Sequence, residues 1–378
     1  MFKKNNTFCH LLWEWAYIDE CGDVFFCCLC KPGPIGNIYK HDLAYIWQKS
    51  EKAKLFRKMS LNGNLSCYSR CTVLSKKDKE IGLGRYYRNQ GKPVEAEASF
   101  KKAVELELNN KSSRIGLERF YKEQGDLNQA KQLLRKTAEF SLRINYPRTV
   151  QIMAGTFCTI SCVMCPQDHS SKTVLKNNIL KKNIGWPRIN EILMMGGEVL
   201  AIESAKELYI WLTEKMQRRI KLTTNGLLIN REWAERLVKG SEWIEVSVNA
   251  ATRKTHESIN RGSDFERVIS NLRMLIDLKR SYSIKTGIRY HFTIVPENIH
   301  EIAQAIKVAD RLGCDMITYC FDSPNVETSL SKHKNIREKI KEDILKVINV
   351  NLKIKIQRNH LEQLGLVEDS NPNLVDEY

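Results

Sequence analysis

A chain of 378 residues exceeds one ordinary domain, so two or three folded units are expected. Its 42% apolar content and seven Trp exclude wholesale disorder, and no run of about eighteen apolar residues is present to cross a membrane. The net charge of +16 would suit phosphate-bearing partners, but Lys and Arg are spread along the chain, with short clusters at 76–79, 181–182 and 218–221. Without a compact recognition motif, nucleic acid is not the expected partner.

The first twenty residues hold two lysines and a short apolar run, then Asp19 and Glu20 with no small-residue cleavage site. That is a poor signal peptide, and a cytoplasmic location is the expectation. Seven of the twelve cysteines lie between Cys9 and Cys71, within a segment (1–75) that has turn signals at 21–23 and 31–36 and helical patterning only over 42–59. Such a unit has little core of its own and calls for a metal staple, and clustered cytosolic cysteines bind metal more often than they form disulfides. Cys9 is followed by twelve residues, Gly22, four residues and Cys27, while Cys67 and Cys71 stand one helical turn apart. A strand–turn–strand reversing at Gly22 would bring Cys9 near Cys27, and Cys67 with Cys71 could complete four thiolates. Structural zinc or reduced thiols are the alternatives. Cys21, Cys28 and Cys30 are spare, although Cys28 could replace Cys27.

Residues 78–142 change to Ala, Glu, Lys, Gln and Leu with helical periodicity, and they repeat. Leu83, Tyr87, Gly91, Ala96 and Phe100 recur thirty-four residues later as Leu117, Tyr121, Gly125, Ala130 and Leu134, a pattern that resembles the tetratricopeptide repeat. A plain helical bundle is the competing reading. Two repeats offer a spacer or docking surface rather than chemistry.

From 148 to 360 strands alternate with amphipathic helices. The strands are expected at 149–154, 189–195, 220–224, 243–249, 285–295 and 316–321, with helices between them at 203–218, 231–239, 265–279 and 299–312. The expected fold is therefore α/β, a partial (β/α)6 TIM-like barrel preceded by the helical repeat segment and the small Cys-rich domain. Its site belongs at the carboxyl ends of the strands. Residues 361–378 form an acidic tail.

The loop after the first of these strands reads Cys158-x-x-x-Cys162-x-x-Cys165. Three thiolates on one loop can hold three irons of a cubane and leave the fourth iron open to a chelating small molecule. Zinc, with His169 as a fourth ligand, or a redox thiol pair would be the bland alternatives. Further on come Met194-Met195-Gly196-Gly197-Glu198, Thr223-Thr224-Asn225-Gly226 and the stretch from Ser247 and Asn249 to Arg261. Cys314 and Cys320 read as small buried apolar residues.

These motifs resemble the signature of the radical SAM superfamily over about residues 148–325. The resemblance implies a [4Fe–4S] cluster on Cys158, Cys162 and Cys165 that binds S-adenosylmethionine and cleaves it to a 5′-deoxyadenosyl radical for hydrogen abstraction. It implies that Met164 contacts the adenine and that Gly196, Gly197 and Glu198 meet the methionyl amine. Ser247, Asn249 and Arg261 would meet the ribose and carboxylate. Val199 stands where the family often has Pro, and Asn249 where Asp is more usual. The amino-terminal cysteines are similar to SPASM or twitch domains, which implies an auxiliary cluster on Cys9, Cys27, Cys67 and Cys71, here ahead of the radical domain rather than after it. By the same resemblance the substrate is a peptide or protein and the reductant a flavodoxin or ferredoxin. A sugar, small metabolite or RNA substrate, or a non-catalytic iron–sulfur scaffold, are the alternatives. No catalytic residue is named; Arg289, Tyr290 and His291 are positions that packing explains equally well.

Overall fold

The computed structural model describes residues 11–27, 33–61, 93–106, 146–321, 326, 329–330, 334–367 and 372–375. The chain divides into two compact units. One comprises Met1–Gln151 with Asn177–Asn190, and the other Ile152–Lys176 with Glu191–Tyr378.

In the first unit, β1 (Trp15–Ile18) and β2 (Asp23–Phe25) form an antiparallel hairpin in the register Tyr17↔Phe25 and Ile18↔Val24, and β3 (Gly36–Asn37) pairs with β2. Gly22 takes the reversal at φ +79°, and a Cβ there would strike the Tyr39 ring. Asp19 accepts from the Cys21 and Asp23 amides, and burial pushes its carboxyl up to about 6. Helices Leu43–Lys49, capped by Asp42, and Glu51–Leu61 follow. The core they close is larger than the sequence suggests: Leu12, Ile18, Val24, Phe26, Ile38, Leu43, Ile46 and Trp47 are all buried. Arg57 sits inside it, donating to the Leu12 and Trp47 carbonyls at 2.8 and 2.6 Å and lying 4.7 and 5.1 Å from the Trp47 and Phe26 rings. Burial lowers its pKa to about 10. Of the repeat positions, Ala96 and Phe100 fall in helix Pro93–Leu106, both fully buried. Leu83, Tyr87, Gly91, Leu117, Tyr121, Gly125, Ala130 and Leu134 lie outside the described residues.

The second unit is built on a mostly parallel sheet. After β4 (Thr149–Met153) and the short β5 (Ser161–Cys162) come β6 (Glu191–Met195), β7 (Ile220–Thr224), β8 (Ser241–Ser247), β9 (Asn260–Arg261), β10 (Gly287–Ile294), β11 (Met316–Phe321), β12 (Lys355–Gln357) and β13 (Leu374–Val375). From β6 the sheet order is β6-β7-β8-β10-β11-β12-β13, each neighbouring pair parallel, while β5 and β9 pair with each other apart from it. Neighbours in the sheet thus follow chain order, and right-handed crossovers then place the intervening helices on one face. This is the progression of a singly wound barrel segment rather than a doubly wound sheet.

Two faces are visible in the burial pattern. Ile288, Tyr290, Phe292 and Ile294 of β10 are completely buried and alternate with the polar Arg289, His291 and Thr293. Helix Phe265–Ser281 buries Val268, Ile269, Leu272, Leu275 and Ile276, at the spacing of one helical stripe. The helix expected at 203–218 ends in a π-helical turn, Trp211–Lys215. Between Cys165 and β6 lie the seven-residue helix Asn177–Asn183 and the single 3-10 turn Trp186–Arg188, both of which cluster with the first unit. Among the described residues no helix is long and apolar enough to cross a membrane.

Leu272 has no exposed surface. Leu272→Ala is expected to lower the unfolding free energy by about 2–5 kcal/mol, measured as a shift of the denaturant midpoint at unchanged m-value.

Candidate metal and cofactor site

The cysteine loop leaves β4 at Gly155 and is held by the ends of several strands. The Gly197 and Glu198 amides just past β6 donate to the Gly155 and Phe157 carbonyls, both at 2.8 Å. Past β7, the Asn225 amide group donates to Thr159 Oγ1 at 3.1 Å and lies 3.8 Å from Cys158 Sγ. Farther along, β5 pairs with β9 in the register Ser161↔Arg261 and Cys162↔Asn260, and the Val163 amide donates to the Ile259 carbonyl at 3.0 Å. Cys158, Cys162 and Cys165 are each half-buried on this tethered loop.

Burial pushes the Cys158 thiol up. It pushes Cys162 up to about 12, where the neighbouring Cys158 and Cys165 sulfurs add to the effect. Three crowded thiols resist ionising together unless a cation joins them, and a coordinating metal deprotonates its thiol ligands. Thr156 Oγ1 and Gln167 Oε1, on either side of the loop, are buried without a partner. Among the described residues no three Cys, His, Asp or Glu side chains converge as ligands of one ion do. Thiolates that each hold a different iron of a cubane stand farther apart than that. The residues fit a cluster held on three corners. His169, the one nearby candidate for a fourth ligand, instead lies 3.1 Å from Cys165 Sγ through Nε2.

The glycine pair has a different reason from the one expected of it. A Cβ on Gly196 would lie 2.8 Å from the Gly155 carbonyl oxygen, and one on Gly197 would fall far inside contact distance of the Phe157 and Thr156 carbonyls. The missing side chains let the end of β6 bond to the cysteine loop, rather than simply opening room for a methionyl group. Glu198 is 1% exposed, and its carboxylate accepts from the Leu200 amide (3.0 Å), Thr224 Oγ1 (2.8 Å) and the Asn225 amide (2.7 Å). Burial raises its pKa and these bonds oppose the rise. Three of its four or so acceptor positions are thus used inside the protein, leaving one on Oε2.

Asn249 also differs from expectation. It is buried in the left-handed region at φ +60°, a conformation Asn tolerates better than most residues. Its amide donates to Asn260 Oδ1 at 3.0 Å and accepts from the Thr293 amide at 2.8 Å. An Asp could make only the second bond, which accounts for Asn here. Ser247 ends β8, half-buried, and Met164 is half-buried between the second and third cysteines. Arg261 is exposed, with its backbone in β9. Of the amino-terminal ligands, Cys27 is buried just past β2, whereas Cys9, Cys67 and Cys71 lie outside the described residues.

Sequence reasoning marked His291 only as a position and missed the polar group around it, on the sheet face opposite the buried Ile288, Tyr290 and Phe292. His291 Nδ1 lies 2.9 Å from Thr318 Oγ1, which donates to Glu245 Oε1 at 2.8 Å. His291 Nε2 lies 3.2 Å from Cys320 Sγ, and that thiol donates to Thr293 Oγ1 at 3.2 Å. Cys320 is therefore not the buried apolar residue expected, although Cys314 is, at 5% exposure. The available signal was the alternation that puts Glu245, His291, Thr293, Thr318 and Cys320 on one face of β8, β10 and β11. Gly197→Ala should displace the loop backbone while sparing every thiol; the expected outcome is cluster incorporation reduced at least tenfold, read from iron and sulfide content.

Comparison with known proteins agrees with this geometry. Residues 152–309 match the radical SAM superfamily, and residues 9–72 match the SPASM iron–sulfur cluster-binding domain. A probable GTP 3′,8-cyclase of Saccharolobus islandicus (strain M.14.25 / Kamchatka #1) is 25% identical over 213 residues, 54% of this chain and 65% of that protein. The GTP 3′,8-cyclase of Alkaliphilus oremlandii is 28% identical over 151 residues, 37% of this chain and 45% of that one. The chain thus spans somewhat less than two thirds of the first of these relatives. The crystal structure of Streptococcus suis SuiB bound to precursor peptide SuiA aligns with a TM-score of 0.46 at 14% identity, covering 82% of this chain and 72% of that one. The radical SAM domain implies a [4Fe–4S] cluster and S-adenosylmethionine, and the SPASM domain supports an auxiliary cluster. Residues 152–309 thus carry a radical SAM domain, and residues 9–72 a SPASM iron–sulfur domain ahead of it.

Proposed function

We propose that the protein modifies a peptide or protein by radical chemistry. The observation that carries the radical half of this reading is the cysteine loop, held by the ends of β6, β7 and β9 with Cys158, Cys162 and Cys165 on it. Bound there, the cluster and S-adenosylmethionine supply reductive cleavage of a sulfonium bond and a carbon radical that takes a hydrogen atom. The chain's own part is geometric. Cys158, Cys162 and Cys165 would hold three irons, and the Asn225 amide beside Cys158 tempers the charge on its sulfur. Glu198 fixes the end of β6 against β7, and its remaining acceptor position suits an ammonium group. Met164, Ser247 and Arg261 would complete the cofactor contacts, with Asn249 holding the ends of β8 and β10 in place.

The peptide half rests on the SPASM domain and on the helical segment with repeat character ahead of the radical domain, a kind of surface that suits an extended partner. Cys9, Cys27, Cys67 and Cys71 would hold the auxiliary cluster, a fully liganded site suited to electron transfer. A flavodoxin- or ferredoxin-type donor would supply the electron in the cytoplasm. A nucleotide substrate is the second reading, favoured by the relatives named GTP 3′,8-cyclase.

Reconstituted protein, reduced under strict anaerobiosis with S-adenosylmethionine, is expected to release 5′-deoxyadenosine, detected by chromatography; no release sinks the reading. Cys162→Ala should abolish the release. Cys67→Ala should lower iron and sulfide by one cluster while leaving the release intact, and unchanged iron content would remove the second-cluster assignment. Mass change in a set of synthetic peptides, set against consumption of GTP, separates the two substrate classes.

A further inference from the structure

The polar group on β8, β10 and β11 has the layout of a nucleophile, a base and an orienting carboxylate. Cys320 Sγ meets His291 Nε2 at 3.2 Å, and the other ring nitrogen reaches Glu245 through Thr318, whose hydroxyl is 2.9 Å from the ring and 2.8 Å from the carboxylate. Glu245 Oε1 is 3.8 Å from Nδ1 directly, and Thr223 Oγ1 approaches its other oxygen at 3.4 Å. These side chains come from β7, β8, β10 and β11, where His291 pairs with Thr318 and Thr293 with Cys320, near the carboxyl ends that also carry the cysteine loop. Cys320 is partly exposed, whereas the other late cysteine, Cys314, is buried under the sheet. Packing alone does not call for a carboxylate, an imidazole, a thiol and three hydroxyls on adjacent strands.

We infer that Cys320 and His291 form a second reactive centre, a hydrogen-bonded cysteine–histidine pair that takes a proton from bound substrate and returns it. The suitable ligand carries an acidic hydrogen on sulfur, or on carbon next to a carbonyl, both of which a peptide offers. In the forward step the proton moves to Cys320 Sγ and its bonding pair stays on the substrate. The imidazolium keeps its charge against Glu245, and no electron is transferred. Burial would by itself lower the His291 pKa, but the Cys320 sulfur and the Glu245 carboxylate more than reverse this and hold it up to about 9. The other titratable group facing it, His360, is driven down to about 4 by burial and by His291, so it adds no charge near neutrality.

The inference rests on the proposed function only for the identity of the substrate side, and its test needs neither S-adenosylmethionine nor turnover. Holoprotein is alkylated with iodoacetamide anaerobically, and each cysteine is followed by peptide mass spectrometry between pH 6.5 and 8.5. An ordinary thiol with a pKa of about 8.5 reacts roughly fiftyfold faster at the top of that range than at the bottom; Cys320, with His291 against its sulfur, is expected to change less than about threefold. H291Q should restore the ordinary fiftyfold slope, with Cys314 unlabelled as the sign that the fold survives. A wild-type Cys320 that follows the ordinary slope, or is not alkylated at all, overturns the inference. So does a flat profile that persists in folded H291Q. If H291Q labels Cys314 and is therefore unfolded, the wild-type profile decides. Loss of 5′-deoxyadenosine release with an anomalous Cys320 intact would count against the proposed function alone.

Discussion

The cysteine loop has little regular structure of its own, and its shape depends on backbone hydrogen bonds donated and accepted by other strand ends. Gly197 and Glu198 bond to one side of it, Asn225 to its middle and Ile259–Arg261 to the far side. Those strand ends are in turn joined to each other: Glu198 bridges β6 to β7, and Asn249 bridges the loop at Asn260 to β10. A site that gathers three thiolates on one loop must resist their mutual repulsion and the loss of loop entropy. Tethering at several points, each hydrogen bond worth about 0.5–1.5 kcal/mol, supplies that resistance.

The parallel sheet makes the arrangement possible by separating two duties. On the face toward the helices, completely buried Ile, Tyr and Phe side chains provide the cohesion. The opposite face is free to carry charge: Lys221 pairs with Glu191 at 2.8 Å, Arg289 stacks 4.5 Å from the Trp243 ring, and the His291 group lies nearer the carboxyl ends. Period-two alternation means that each strand serves both duties at once, so polar chemistry and core packing do not compete for the same positions.

In the amino-terminal unit, a buried guanidinium does part of the work that sequence reasoning assigned to metal. Arg57 satisfies two carbonyls and lies against two aromatic rings, joining the start of the hairpin to both helices. Nothing in its local sequence, a lysine-rich helix, marks it out from its exposed neighbours, because its burial is decided by what folds over it. The SPASM match, over residues 9–72, covers the same segment.

Much of this protein was legible in its residues. The Cys158–Cys165 spacing, the β-α alternation and even the ends of β7 and β11 follow from short-range patterns, since ligand spacing and side-chain periodicity are properties of a continuous segment. The partnerships were not. Gly196 and Gly197 looked like room for a ligand and are close approaches to another backbone; Glu198 and Asn249 looked free to meet a cofactor and spend most of their bonding inside the protein. Cys320 looked like packing and stands against His291. The deciding contacts join residues 11 to 44 apart in the chain, and they exist only after strand order and register are set. The sequence by itself determined which chemistry the chain can hold. Tertiary structure decided which side chains remain free to take part in it, because a hydrogen-bonding group can be counted as available only when every neighbour that might use it has been placed.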